Sequence, residues 1–178
     1  NENSRIKKSL RYFTGLICIS NSLKTYFEQF HQFSKPVLVV PITVDIDRFN
    51  NISGSVPENY ITYCGNLFGD KDGVDILIKA FAKISRKYSN YKLQLIGNIN
   101  DDMGFLQLKK FITETKLTDR IIFTGFIERN LLPPLLMNSA VLVLARPDNI
   151  QSRGGFPTKL GEYLATSRPV IVTAVGDI

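Results

Sequence analysis

Short apolar runs alternate with amphipathic stretches along most of the chain, and this alternation predicts its architecture. Runs of strand length that are almost wholly apolar, as buried strands are, occur at residues 60–64, 93–96, 121–123, 141–145 and 170–175. Helices are predicted between them, at residues 74–88, 105–112, 134–138 and 159–165. Strands that alternate with helices pair in parallel through right-handed crossovers. The sequence therefore predicts an α/β fold with a doubly wound parallel sheet.

The beginning of the chain shows the same alternation in a shorter form. Residues 5–13 are typical of the tail of a basic helix, and residues 16–19 and 37–40 of buried strands. The stretch that follows is rich in Pro, Asp, Asn, Ser and Gly without a sustained period, which indicates a linker. We therefore predict a short piece of a second α/β domain at residues 1–40, an interdomain linker at 41–58 and a larger domain at 59–178.

Loops rich in glycine and polar residues follow the predicted strands of the larger domain. They lie at residues 65–73, 97–98, 124–126 and 146–157. Ligands bind parallel α/β sheets at the carboxyl ends of the strands, so these loops are expected to meet around one crevice. The first strand is followed by no GxGxxG, and the chain has no GxxxxGK[ST]. These absences argue against a dinucleotide-dependent dehydrogenase and a P-loop NTPase.

The last of these loops leads into a candidate anion site. Gly154 and Gly155 leave the backbone bare before a predicted helix, and Thr158 can cap that helix. A diphosphate would fit the free N–H groups of the first turn, helped by the helix dipole and by Lys159. Glu162 lies on the same face and is suited to sugar hydroxyls. The alternative is that Lys159 and Glu162 form an ordinary pair on a solvated helix face.

Composition and net charge limit the kinds of partner that the chain is expected to bind. The chain has 178 residues, of which 44% are hydrophobic, enough for the core of an ordinary globular domain. Its net charge of +6 favours acidic partners such as nucleotides and phosphates. No basic stripe is interleaved with aromatic residues, so nucleic acid is not predicted as a partner. A basic cluster near the start fits either a solvated face or contact with a membrane surface; it consists of Arg5, Lys7, Lys8 and Arg11.

Residues suited to metal binding or nucleophilic catalysis are few and scattered. Cys18 and Cys64 lie inside apolar runs, which favours buried free thiols over a disulfide. His31 is the single histidine and has no cysteine near it in the sequence, so neither a zinc site nor a Ser-His-Asp triad is predicted. The sequence predicts no metal site, and it assigns no catalytic residue.

Four motifs in order resemble those of retaining glycosyltransferases of family 4, which have two Rossmann-like domains in the GT-B arrangement. LICISNSLKTYF and KPVLVVPITVDIDRF resemble the passage from the acceptor domain into the linker. YCGNLFGDKDGVDILIKAF resembles the first strand, loop and helix of the donor domain, and IIFTGFIERN the strand and loop beside the nucleobase. GGFPTKLGEYLATSRPVIVT resembles the nucleotide-sugar motif. Residues 1–40 then correspond to the end of the acceptor domain and 59–178 to an incomplete donor domain.

The resemblance implies roles for individual residues. Lys71 matches the lysine that binds the diphosphate, with Asp72 as an extra residue before the usual glycine. The arginine of the family is Asn66 here, so one charge on the phosphates is missing, and Lys159 or Arg153 are candidates to replace it. The predicted donor-binding residues are Gly65, Asn66, Lys71, Gly125, Phe126, Ile127, Arg153, Gly154, Gly155, Phe156, Thr158, Lys159, Leu160 and Glu162.

Two further matches concern the base and the sugar. Gly125 through Ile127 match the loop whose backbone lies against the base. Glu162 matches the second glutamate of the family's pair, which holds the ribose hydroxyls, whereas the first glutamate falls on Gly154. That departure leaves the identity of the donor sugar open.

The resemblance implies an enzyme that moves a sugar from a nucleotide-diphosphate sugar onto a glycan or lipid-linked acceptor with retention. It implies no cofactor besides this donor, and a cytoplasmic protein that contacts the inner face of the membrane. Both ends look cut, so we expect a fragment that binds the donor and transfers poorly alone. The alternatives are a non-catalytic nucleotide-binding or partner module, and an epimerase, which would need carboxylates and a histidine at the crevice.

Overall fold

The computed structural model describes residues 2–50, 52, 57–67, 71–99 and 103–178. The chain forms two compact units. The smaller unit comprises Asn1–Thr43, Asp148–Pro157 and Ala174–Ile178, and the larger unit comprises Val44–Pro147 and Thr158–Thr173. Within the described ranges, no helix combines the length and the apolar composition needed to cross a membrane.

A five-stranded parallel sheet forms the centre of the larger unit. Its strands are β3 (Glu58–Cys64), β4 (Lys92–Ile96), β5 (Ile121–Gly125), β6 (Ser139–Leu144) and β7 (Val170–Val172), in the order β5-β4-β3-β6-β7. Because β4 and β6 flank β3 on opposite sides, the strand order reverses at β3. The α/β fold with a parallel sheet, predicted from the alternation of runs, is confirmed.

Helices of the larger unit cover the sheet with their apolar faces. They are α3 (Val74–Ile84), α4 (Met103–Glu114), α5 (Leu132–Met137) and α7 (Thr158–Ala165). On α3 the buried side chains Val74, Leu77, Ile78 and Phe81 recur at helical spacing, as predicted. Proline occupies the first turn of α5, where its missing N–H costs no hydrogen bond. The core is therefore built from the positions that the apolar pattern selected.

The described residues of the smaller unit form a two-stranded parallel sheet and three α-helices. Its elements are α1 (Glu2–Leu10), β1 (Leu16–Cys18), α2 (Asn21–Thr25), β2 (Val37–Val39) and α6 (Ile150–Gly154). A π-helical turn at Tyr26–Phe30 continues α2. The hydroxyl of Ser20 accepts a hydrogen bond from the N–H of Leu23 and so caps α2.

Several predictions about local structure need correction. The predicted loop at 146–157 contains α6, whose first turn is capped by the side chain of Asn149. The predicted linker contains a 3₁₀ turn at Ile46–Phe49, capped by Asp45. Short polar caps of this kind stabilise single turns that carry no apolar period. β7 ends at Val172 rather than at residue 175. Residues 51 and 53–56 of the predicted linker lie outside the described residues.

Both cysteines are buried free thiols, as predicted. The division into residues 1–40, 41–58 and 59–178 stays a prediction, since the two contact-defined units describe compactness rather than domain identity.

Candidate functional site

The carboxyl ends of β3 and β6 define the candidate site of the larger unit. The strand order reverses between these two strands, and open α/β sheets bind ligands in the crevice outside such a reversal. The segments that follow β3, β5 and β6 begin at this edge of the sheet. The sequence predicted a crevice at this edge from its glycine-rich loops, and that prediction is not tested by the strand order alone.

The loop after β3 carries three predicted binding residues, of which Gly65 is half-buried and Asn66 and Lys71 are exposed. Tyr63, the buried residue next to the end of β3, donates from its hydroxyl to the carbonyl of Asn66 at 2.9 Å. The same hydroxyl lies 3.1 Å from a carboxylate oxygen of Asp72. The two ends of the loop are therefore fixed to one side chain. Residues 68–70 of this loop lie outside the described residues.

A buried arginine that the sequence analysis missed lies beside this loop. Arg146 follows the end of β6, its side chain is 2% exposed, and its Nε lies 3.6 Å from Oδ1 of Asp72. Its Nε and Nη1 have no hydrogen-bond partner among the described residues. Asp72 supplies the opposite charge that a buried guanidinium requires. The residue that looked like an insertion in the motif therefore has a defined structural partner.

Glu162 on α7 stands between two cations. Its Oε1 accepts a hydrogen bond from Nη1 of Arg48 at 2.7 Å, and its Oε2 accepts one from Nζ of Lys159 at 2.9 Å. The Glu162 side chain is 17% exposed, so the pair with Lys159 is not on an open helix face. Arg48, which lies in the predicted linker, was not among the predicted site residues.

The environment of Glu162 favours its ionised form. Burial alone would raise the pKa of Glu162, but the hydrogen bonds and charges of Lys159 and Arg48 outweigh burial. The net effect holds the pKa of Glu162 below its ordinary value of 4.5. A group with a lowered pKa in the folded state stabilises that state above the unfolded pKa, and this stabilisation is lost as the pH falls through the folded value.

We expect Glu162→Gln to lower the free energy of unfolding at pH 7, and this loss should shrink as the pH falls below 4.5. Chemical unfolding followed by circular dichroism from pH 7 to pH 3 measures it. Glu114→Gln is the matched control, because the Glu114 side chain is 62% exposed. A loss of stability for Glu162→Gln that does not change with pH would contradict the assignment.

Tyr163 ties α7 to the end of β3. Its hydroxyl accepts a hydrogen bond from the N–H of Cys64 at 2.6 Å and donates to the carbonyl of the same residue at 3.3 Å. The ring is fully buried, and burial raises the pKa of Tyr163 well above 10.0. Tyr163 therefore belongs to the core, whereas its neighbour Leu164 is 62% exposed.

The remaining predicted residues of the larger unit lie at the end of β5 and on the first turn of α7. Gly125 ends β5 with a φ of 73°, Phe126 is exposed, and Ile127 packs against the core. α7 begins at Thr158, which makes Thr158 the first helical residue rather than the residue before the helix. Leu160 packs against the core.

Four predicted site residues belong to the smaller unit. Arg153 forms two hydrogen bonds to Asp148, at 2.6 and 2.9 Å, on an exposed surface. The carbonyl of Gly154 accepts from the hydroxyl of Ser20 at 2.6 Å. The N–H of Gly155 donates to the carbonyl of Gln151, and Phe156 is half-buried. Both cations considered as replacements for the missing arginine, Arg153 and Lys159, therefore already have carboxylate partners.

Comparison with known proteins gives a family and a fold. A family model described as glycosyl transferases group 1 matches residues 58–178. No sequence match among curated proteins was found. A glycosyltransferase from Rickettsia africae is similar in structure, with a TM-score of 0.78 and 19% identity over 98% of this chain and 49% of that protein.

Two further solved structures are similar at low identity. HepE from Anabaena, in complex with UDP and glucose, has a TM-score of 0.77 and 17% identity over 98% of this chain and 49% of its own. The pneumococcal O-GlcNAc transferase GtfA, in complex with UDP and GlcNAc, has a TM-score of 0.75 and 17% identity over 98% of this chain and 33% of its own. The chain thus spans half or less of the length of these three proteins.

Proposed function

The chain belongs to the family of glycosyl transferases group 1, and from this premise we propose that it is the donor-binding part of a sugar transferase. The donor is a nucleotide-diphosphate sugar, and the acceptor is a glycan or a lipid-linked molecule. We also propose that transfer retains the anomeric configuration, as in the family 4 enzymes that the motifs resemble. The protein would act in the cytoplasm, at the inner face of a membrane.

One observation carries the proposal. At the reversal of strand order, the larger unit presents a lysine on the loop after β3 and begins other glycine-containing loops at the same edge. Its α7 carries a carboxylate held in place by two cations. This combination suits a ligand that has both phosphates and vicinal hydroxyls.

The residues divide by the chemistry that each can supply. We propose that Lys71 and the first N–H groups of α7, at Thr158 and Lys159, bind the diphosphate. The leaving group of the transfer is a nucleoside diphosphate, so stabilising its developing negative charge lowers the barrier. The backbone of Gly125 and its successors would contact the base, and Glu162 would accept hydrogen bonds from the ribose hydroxyls.

A second candidate function is a non-catalytic nucleotide-binding or partner module on the same scaffold. Asn66 favours it, because an amide at that position contributes no charge to a bound diphosphate. Gly154 favours it as well, since it provides no carboxylate for a donor sugar. In this case the chain would bind a nucleotide without supporting transfer when joined to a complete acceptor domain.

We expect the chain to bind one of UDP, GDP and ADP in preference to the others, and Lys71→Ala and Glu162→Ala to weaken that binding about tenfold each. A charge-assisted hydrogen bond is worth roughly 1.5–3 kcal/mol, which corresponds to a tenfold loss or more. Isothermal titration calorimetry measures the affinities. Lys110→Ala is the control, since Lys110 is an exposed lysine of α4 paired with Glu114.

Two outcomes would contradict the proposal. The first is that the folded wild-type chain binds none of the three diphosphates. The second is that Lys71→Ala and Glu162→Ala bind the preferred diphosphate as tightly as the control variant does. Binding that is selective and weakened in both variants supports the donor-binding assignment and identifies the nucleotide.

A further inference from the structure

Arg48 makes two strong contacts to segments far from it in the sequence. Its Nη1 donates to Oε1 of Glu162 at 2.7 Å, and its Nη2 donates to the carbonyl of Arg129 at 2.7 Å. Glu162 lies on α7, and Arg129 lies in the loop after β5. The guanidinium therefore connects the helix of the proposed ribose carboxylate with the loop of the proposed base contact.

The segment that carries Arg48 is itself fixed to the larger unit. Phe49, the next residue of the 3₁₀ turn, is 6% exposed and belongs to the main core. The guanidinium of Arg48 lies 5.7 Å from the centre of the Phe49 ring, within cation–π distance. On α7, a Cβ added at Gly161 would lie 3.3 Å from Cβ of Val44, so the helix passes close to the start of this segment. The segment is thus packed against the larger unit before Arg48, at Val44, and after it, at Phe49.

The contacts to Glu162 leave a defined set of acceptor positions. An ionised carboxylate has about four lone-pair positions, two on each oxygen. Arg48 occupies a position on Oε1 and Lys159 one on Oε2, so each oxygen keeps an acceptor position. Two neighbouring oxygens with one acceptor position each match the hydroxyls of a vicinal diol, such as the 2′ and 3′ hydroxyls of ribose.

We propose that Arg48 is a positioning residue, which fixes the Glu162 carboxylate so that both of its oxygens accept hydrogen bonds from the ribose diol of the nucleotide. The inference rests on the proposed function and adds a residue from the segment that the sequence identified only as a linker. Arg48 acts through Glu162 and through the loop after β5, and it does not contact the reacting atoms.

The test compares a ribonucleotide with its 2′-deoxy form. Affinities of UDP and 2′-deoxy-UDP are measured by calorimetry for the wild-type chain, Arg48→Met, Arg48→Lys and Arg86→Met, with the GDP and ADP pairs in parallel. Arg86 is exposed and follows α3, so Arg86→Met makes the same substitution away from the site. Circular dichroism checks that each variant is folded.

We expect the wild-type chain and Arg86→Met to prefer the ribonucleotide about tenfold or more, as the loss of a hydrogen bond to a charged group implies. In Arg48→Met the preference should fall to within about threefold of equality, because a carboxylate that is no longer held contributes less than a full hydrogen bond. Arg48→Lys keeps the positive charge but loses the planar guanidinium with its several fixed donors, so its preference for the ribonucleotide should lie between these values.

Each other outcome overturns the inference in a recognisable way. Equal weakening of both ligands in Arg48→Met, with the preference unchanged, would mean that Arg48 only stabilises the fold. Tighter binding of the ribonucleotide would mean that Arg48 competes with ribose for Glu162. If the folded wild-type chain binds none of the diphosphates, the proposed function fails and this inference fails with it, whereas binding with an unchanged preference overturns this inference alone.

Discussion

Asp72→Ala is expected to lower the free energy of unfolding by about 3–5 kcal/mol, because it leaves the buried charge of Arg146 without a partner. The Arg146 side chain is 2% exposed, and Asp72 is the acid that lies 3.6 Å from its Nε. Two nitrogens of this guanidinium already lack hydrogen bonds to the described residues. Among the described residues, therefore, no second acceptor is in place to replace the carboxylate. Urea unfolding at pH 7, followed by circular dichroism, measures the loss.

Two controls separate the charge effect from a general effect of the substitution. Asp75→Ala removes a carboxylate at the start of α3 that pairs with Lys79 on an exposed surface, and we expect a loss below about 1 kcal/mol. The double variant Asp72→Ala/Arg146→Met removes both charges, so it should be more stable than Asp72→Ala alone. Equal losses of unfolding free energy for Asp72→Ala and Asp75→Ala would show that Asp72 does not stabilise the buried charge of Arg146.

Gly73→Ala is expected to destabilise the chain by about 2–5 kcal/mol in total. Gly73 precedes α3 with a φ of 65°, a conformation that costs a residue with a Cβ about 1–2 kcal/mol. A Cβ at this position would also lie 2.0 Å from the carbonyl oxygen of Ala145. That oxygen belongs to the backbone and cannot turn away, so the clash adds an overpacking cost of about 1–3 kcal/mol. Thermal and urea unfolding of the variant measure the sum.

Gly125→Ala is the matched control for Gly73→Ala. Gly125 has a similar φ of 73°, but a Cβ there would meet no atom within 4 Å. The control therefore has only the conformational cost of about 1–2 kcal/mol. A loss for Gly73→Ala that does not exceed the loss for Gly125→Ala would mean that the approach between the loop after β3 and the segment after β6 is not tight.

Local sequence patterns predicted the strands and helices of the larger unit because apolar residues are selected for the face that they bury. The alternating runs of residues 60–175 predicted the parallel sheet. The apolar spacing predicted the buried face of α3, although the helix ends at Ile84 rather than at residue 88. The four motifs indicated a glycosyltransferase, and the match to glycosyl transferases group 1 over residues 58–178 confirms that assignment. Corrections concern short capped turns and element ends, such as α6 and the end of β7. They also concern β1 and β2, which were predicted as buried strands but expose Ile17 and Leu38.

The sequence predicted the binding residues less completely than the fold. The sequence identified Lys71 and Glu162 from their places in motifs, and their roles stay predictions. It missed Arg48, because a residue in a stretch without periodicity gives no signal of a contact 114 positions away. It also missed Arg146, where the available signal was an arginine directly after an apolar strand, at the edge where ligands bind.

The sequence by itself determined the class of fold, the order of its elements, the family and the segments that follow the strands. These properties depend on periodicity and on short motifs, which are local. Only the tertiary structure decided which charges meet: Glu162 with Arg48 as well as Lys159, and Arg146 with Asp72. The pairing of charges depends on where folding brings distant backbone segments together, because a buried or partly buried charge is costly unless an opposite charge lies beside it.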